Sequence, residues 1–385
     1  MKRFTITRRQ IAVTGLAALL GACSIIPKSG EPVRRPVETP TPMPSATALP
    51  DDQTHHRIAL LVPMSGQNGA VGQSIANAAT MALLDTDAGN LRITTYDTSG
   101  NARDAARRAI ADGNKLILGP LMGDNVGAVL AEARPADVPL ISFSNDAAIA
   151  SPDVFVMGHI PEQSIRRSVQ YARTQGARDF AVIAPEGEYG RRAEAALQGA
   201  VQSYGGRVAG AERYARGNTS IMSAADRLRS RGGYDTVLIA DSPRLAQQAG
   251  ARVGGQDTRI LGTELWSGEV AVTRAPALRG AIFSAVSDNR YRRFVDSYEA
   301  RFGGQPYRIS TLGYDAVLLA LRVAQDWRVG REFPTANLRD RGGFLGLDGA
   351  FRFQRDGVVE RSFEVREIRD GEVAIVDAAP TRFED

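Results

Sequence analysis

The stretch Arg57-Ile58-Ala59-Leu60-Leu61-Val62-Pro63-Met64-Ser65-Gly66-Gln67-Asn68-Gly69-Ala70-Val71-Gly72 decides how the rest of the chain is read. The apolar run 58–62 is too short for a helix and too continuous for a strand with one wet face, so it predicts a strand covered on both sides. A turn punctuated by Pro and Gly follows, and Ile75, Ala78, Ala79, Ala82 and Leu83 then recur at helical spacing over 72–86. Strand, turn and helix in that order begin a parallel sheet with helices packed on its faces.

The alternation continues outward. Strands are expected at 91–96, 115–118 and 138–142, with helices near 102–112 and 124–134 between them. A second series reads helix 162–175, strand 179–184, helix 189–203, strand 206–213, helix 219–230, strand 235–240, helix 243–253 and strand 259–262. An apolar segment at 279–285, helices at 290–302 and 310–328, and a hairpin-like tail (349–353, 358–368, 373–376) complete the chain. One sheet of so many strands would be unusually large, so the fold class is α/β with two lobes, each a doubly wound, mostly parallel sheet with helices on both faces.

Upstream of residue 57 the composition changes. Residues 1–22 carry Lys2, Arg3, Arg8 and Arg9, no acid, and the apolar run 11–20, which is too short to span a bilayer and reads as a signal peptide. Arg8-Arg9 fits either a twin-arginine or an ordinary secretory leader. Leu20-Gly21-Ala22-Cys23 resembles the bacterial lipobox, which makes Cys23, the chain's one cysteine, the expected acylated N-terminus. Ser24 after it implies, by resemblance to lipoprotein sorting rules, the outer membrane facing the periplasm rather than the inner membrane. Residues 24–54 hold seven prolines and little apolar periodicity, so 23–56 reads as an anchored, disordered tether; at about 3.1 Å per residue its reach is on the order of 90 Å.

The charge balance excludes one class of partner. The formal net charge is +4, and the four leader cations account for all of it. The remainder is neutral overall, which removes the main support for nucleic-acid binding.

With these segments in place, residues 57–377 resemble the type I periplasmic binding fold, in its leucine- and amide-binding branch. The resemblance rests on residues 58–66, Leu118-Gly119-Pro120-Leu121, Val138-Pro139-Leu140-Ile141-Ser142-Phe143-Ser144-Asn145, Glu188-Tyr189-Gly190 and Gly313-Tyr314-Asp315-Ala316. It implies three crossings between lobes, with a first lobe of 57–158 plus 286–345 and a second of 159–285 plus 346–385. The lipobox, the Pro-rich tether, Gly-Pro-Leu-Met-Gly-Asp-Asn-Val at 119–126 and Phe-Ser-Asn-Asp at 143–146 are similar to the penicillin-binding protein activator lipoproteins. That resemblance implies a non-enzymatic regulator that reaches a penicillin-binding protein and stimulates peptidoglycan synthesis. The alternative is the solute receptor of an ABC importer for amino acids or amides, with a small amino-acid-like or peptide ligand.

In such folds ligands bind outside the carboxyl ends of the strands. The expected cleft residues are Ser65 and Gly66 as backbone donors at a helix mouth, Gly123, Ser144 and Asn145 on the first lobe, and Tyr189, Glu264 and Trp266 on the second. Two departures weaken a receptor reading. Gly123-Asp124 stands where amino-acid receptors place carboxylate-binding hydroxyls, and Ala70-Val71 stands where they place a stacking aromatic. Trp327 ends an apolar helical pattern and is expected in the core, whereas Trp266, on a loop after a strand, is expected to be more exposed and to touch a ligand or partner.

Other chemistries find little support. Gly66-x-x-Gly69-x-x-Gly72 lacks the dinucleotide spacing. His55, His56 and His159 have no metal-ligand spacing and read as surface or hinge residues, and no serine sits in a nucleophile elbow. No cofactor, metal or catalytic residue is expected.

Overall fold

The computed structural model describes residues 54–217, 220–253, 255, 258–380 and 383. The expected leader, lipobox and most of the tether lie outside the described residues.

The first series is β1 (His56–Val62), α1 (Gly69–Asp85), β2 (Leu91–Asp97), α2 (Ala102–Ala111), β3 (Leu116–Leu118), α3 (Val126–Ala133), β4 (Leu140–Ser142) and β5 (Val154–Val156). All five strands run parallel in the order β2-β1-β3-β4-β5, with Ile58 opposite both Ile93 and Leu116. Ile58 to Val62 are at most 1% exposed, as a central strand covered on both faces requires. Asn101 caps α2, its side chain accepting from the Arg103 and Asp104 N–H groups.

The second series is α4 (Pro161–Thr174), β6 (Asp179–Pro185), α5 (Glu188–Ser203), β7 (Arg207–Tyr214), α6 (Ser220–Arg231), β8 (Thr236–Ile239), α7 (Pro243–Val253), β9 (Arg259–Leu261) and β10 (Ile282–Ala285). Pro161 opens α4, where a missing N–H costs nothing. After β10 come α8 (Tyr291–Phe302) and α9 (Thr311–Ala324), then β11 (Phe344–Gly346), β12 (Gly349–Phe353), β13 (Val359–Arg361), β14 (Glu364–Ile368) and β15 (Val373–Asp377). The second sheet has the order β15-β14-β10-β9-β8-β6-β7, with β14 antiparallel to β10 and β15 antiparallel to β14. The result is the two-lobed α/β architecture expected from the pattern.

Helices α8 and α9 return to the first lobe. Leu312, Ala316, Val317, Leu319 and Val323 join the core of the five-stranded sheet, and Phe294 and Tyr298 pack on Ala78 and Met81 of α1.

The tail departs from its reading in two ways. Residues 358–368 are not one strand: β13 pairs with β12 in a separate three-stranded antiparallel sheet, while β14 joins the second sheet. Phe351, Phe353, Val358 and Val359 pack in the first-lobe core, and Val156 forms a parallel bridge with Val358. Residues 346–361 therefore pack with the first lobe rather than the second, because their aromatic side chains fill space beside Phe155, whose ring meets that of Phe353 at 5.2 Å.

His56 corrects another expectation. It is 4% exposed and stacks on Trp327 at 4.1 Å between centroids, inside the core rather than on the surface. His159 lies at the first crossing between lobes.

Candidate functional site

The segments after β1, β3, β4, β6 and β9 carry the predicted cleft residues. Gly123 and Ser144 are neighbours: a Cβ on Gly123 would sit 3.0 Å from Ser144 Oγ. Ser144 is buried, and its hydroxyl accepts from the Asp146 N–H at 3.1 Å, which fixes the turn carrying Asn145. A side chain at 123 would press on that hydroxyl and require it to give way slightly.

On the second lobe, the Tyr189 hydroxyl donates toward Thr263 Oγ1 at 3.0 Å and Glu264 Oε1 at 3.2 Å. The second Glu264 oxygen, Oε2, is shielded from solvent and has no hydrogen-bond partner among the described residues. Burial is the main reason the Glu264 carboxyl is pushed up to about 7, because a shielded carboxylate loses its hydration. Burial and the neighbouring Glu264 charge also raise the Tyr189 hydroxyl well above its ordinary value.

The two halves meet through a residue the sequence reading did not select. Arg192 of α5 donates Nε to Glu162 Oε1 at 2.7 Å and Nη2 to Glu162 Oε2 at 2.8 Å, and Nη2 also reaches the Asn145 carbonyl of the first lobe at 2.6 Å. Asp146 and Glu264 also act electrostatically on this guanidinium. Asn145, Tyr189 and Glu264 therefore share one charged neighbourhood.

Two expectations fail. Ser65 is exposed, but its N–H already donates to Ser99 Oγ at 2.9 Å, so it is not the open backbone donor expected. Gly66 lies exposed in the same turn with φ 69°. Trp266 is fully buried and cannot be a surface anchor. Its Nε1 donates to the Asp241 carbonyl at 2.8 Å, its ring packs against Phe283, and it lies so close to Gly262 that an added Cβ would come within 2.4 Å of the ring. A loop after a strand looked exposed in sequence, but this one folds back over the sheet end. Trp327 is buried in the first core, as expected.

Behind the cleft the three crossings are tied by charge. Asp348, fully buried before β12, accepts from Arg308 Nη1 at 2.6 Å and Thr311 Oγ1 at 2.9 Å, and lies 2.7 Å from His159 Nε2. Arg361 donates Nη2 to the Met157 carbonyl at 2.7 Å. Arg366 donates to Glu364 at 2.8 Å, to the Val286 carbonyl at 2.6 Å, and to Asp288. The Arg308 charge and the hydrogen bond from His159 hold Asp348 well below the usual carboxylate range despite its burial. Burial and the Asp348 charge push Asp315 up. These partners are up to roughly 200 residues apart in sequence, so spacing could not pair them.

Two lobes joined by three crossings, with the Arg192 side chain of one meeting the Asn145 backbone of the other at the strand ends, define a type I α/β binding protein. The chain belongs to the family described as periplasmic binding protein, whose profile matches residues 56–372. It is similar to the penicillin-binding protein activator LpoA of Mannheimia succiniciproducens, 25% identical over 300 residues that make up 73% of this chain and 50% of that protein. An uncharacterized protein of Rickettsia prowazekii is 30% identical over 149 residues, 38% of this chain and 40% of that protein. The chain thus spans half or less of the length of these relatives. Among solved structures, a leucine-binding protein of Thermotoga maritima superposes with a TM-score of 0.64 at 20% identity, covering 84% of this chain and 98% of that one. A putative branched-chain amino acid ABC transporter protein of Rhodospirillum rubrum gives 0.73 at 19%, covering 84% and 100%. At such identities these two establish the fold alone.

Proposed function

We propose that the protein is a non-enzymatic, periplasm-facing lipoprotein, acylated at Cys23 and anchored to the outer membrane, that regulates peptidoglycan synthesis by binding a penicillin-binding protein. The similarity to the LpoA activator extends over 73% of the chain. The observation that carries the reading is position 123: the site where a receptor would need a carboxylate-binding hydroxyl is a glycine, backed by Ser144 Oγ at 3.0 Å from where a Cβ would stand. A small amino acid would lack the side-chain hydroxyl at 123 and would meet the Asp124 carboxylate beside it, which repels a ligand carboxylate, whereas a protein partner needs neither group.

The second reading, an importer's solute receptor, is favoured by the Tyr189–Glu264 pair, which keeps a hydroxyl and an acid on the closing lobe. One experiment separates the two. The purified chain is added to a bifunctional penicillin-binding protein while glycan polymerisation and crosslinking are followed, and in parallel its melting temperature is recorded with millimolar leucine and small amides. The regulator reading expects a faster synthetic rate and no shift, since a folded-state ligand at a hundredfold excess over Kd would add about 2.7 kcal/mol. A large amino-acid-specific shift with no effect on the synthase overturns it.

A further inference from the structure

We propose that Arg192 is a built-in latch: its guanidinium fills the cleft in place of a solute, holds the two lobes together without one, and when truncated leaves a cavity selective for a small guanidinium cation.

The contrast with the preceding residue makes the case. Arg191 pairs with Glu188 one helical turn away and its side chain is 59% exposed, the geometry of an ordinary surface pair. Arg192 is 13% exposed and spends its fork on two other elements. Nε and Nη2 take both oxygens of Glu162 at the start of α4, and Nη2 takes the Asn145 carbonyl across the cleft. A planar, bidentate fork of this kind is the geometry that arginine supplies and lysine cannot.

The charge around it points the same way. Glu162, Asp146 and Glu264 all act on this one guanidinium, and Glu264 Oε2 has no donor of its own. Without Arg192, Glu162, Asp146, Glu264 and the Asn145 carbonyl would lose the guanidinium they face, and Arg216, 5.8 Å from the Tyr189 ring centroid, is already paired with Asp241. An anionic solute would add to that charge, and a neutral one could pair the acceptors but would leave the carboxylates unbalanced, which costs more than the contacts it could make. A flat cation with several N–H donors would supply both the hydrogen bonds and the charge.

The test compares the wild-type chain with Arg192→Ala by small-angle X-ray scattering and thermal melting, with ethylguanidinium as the probe and ethylurea as its uncharged control, both at millimolar concentration. The expected result is a larger radius of gyration for Arg192→Ala, returned toward the wild-type value by ethylguanidinium and not by ethylurea. The melting temperature should rise by roughly 2 °C at tenfold excess of the probe over its Kd. Wild type should respond to neither. If circular dichroism shows that Arg192→Ala does not fold, Arg192→Lys carries the test: it keeps the charge, loses the fork, and should also expand. Wild-type scattering from the variant, or no response specific to ethylguanidinium in Arg192→Ala, overturns the latch.

Discussion

Single residues in this cleft do work that their identity alone did not reveal. Glu264 was legible as a cleft acid, but its environment was not: the shielded Oε2 and the Tyr189 contact exist only once α5 and the turn after β9 meet. Its carboxyl titrates near 7 in the folded chain against an ordinary value of 4.5. Between those limits the folded protein holds a proton that the unfolded chain has released, so stability falls as pH rises through the window. The total loss is on the order of 3 kcal/mol. Glu264→Gln should therefore melt like wild type at pH 4.5, be the more stable protein at pH 8, and show a flatter profile between, as measured by thermal melts across that range. Superimposable profiles would mean that the carboxyl is not shielded. Trp266 shows the opposite failure. Its type and loop position suggested a contact residue, yet fold-back over the sheet end buries it completely.

Elements were more legible than residues, and the reason is periodicity. The continuous runs at 58–62 and 179–184 became the buried strands β1 and β6, and the helical patterns between strands became α1 to α7, with ends within a few residues. The misses are short or split. β5 has three residues and no alternation to read, and residues 358–368 read as one strand of a hairpin-like tail until Ser362 and Phe363 separate β13 from β14. What spacing could not show is how two lobes solve the same packing problem. An added Cβ would lie 1.7 Å from the Pro63 carbonyl oxygen at Gly72, and 1.7 Å from the Pro185 carbonyl oxygen at Gly190. In both lobes a glycine lets the helix start press against the strand it follows, although the two loops differ in length. Gly190→Ala should displace the α5 terminus that presents Tyr189 and Arg192 and cost about 1–3 kcal/mol, because backbone is what must move. Gly199, also in α5, has open space around it, so Gly199→Ala should stabilise by about 0.5–1 kcal/mol through helix propensity. Urea midpoints for the pair check this, and a Gly190→Ala protein as stable as wild type would refute the close approach.

At the scale of the molecule, the two lobes are fastened on both sides: in front by Arg192 and behind by charges at the crossings. The hinge ties are the less expected, since Asp348, Arg308, His159 and Arg361 come from separate parts of the chain and only the fold collects them. Burying so many charges is not a cheap route to stability, because each loses its hydration and a well-packed apolar set would often do as well. What such a cluster adds is dependence on geometry: Arg308 Nε and Arg361 Nε and Nη1 are buried without a hydrogen-bond partner among the described residues, and the bonds that do form require the crossings to hold their places, so the cluster favours one relative position of the lobes. Asp348 is the centre, accepting from Arg308 and Thr311 and lying against His159 while fully buried. Asp348→Asn keeps the shape and removes the charge, leaving Arg308 and Arg361 with less to balance them. It should cost about 3–5 kcal/mol in urea unfolding, and the same type of change at the surface pair Arg213–Glu194, made as Glu194→Gln, no more than about 1 kcal/mol. If the two substitutions cost the same, the hinge charges are solvated in solution, and the relative placement of the lobes would then rest on packing and on the cleft contacts alone.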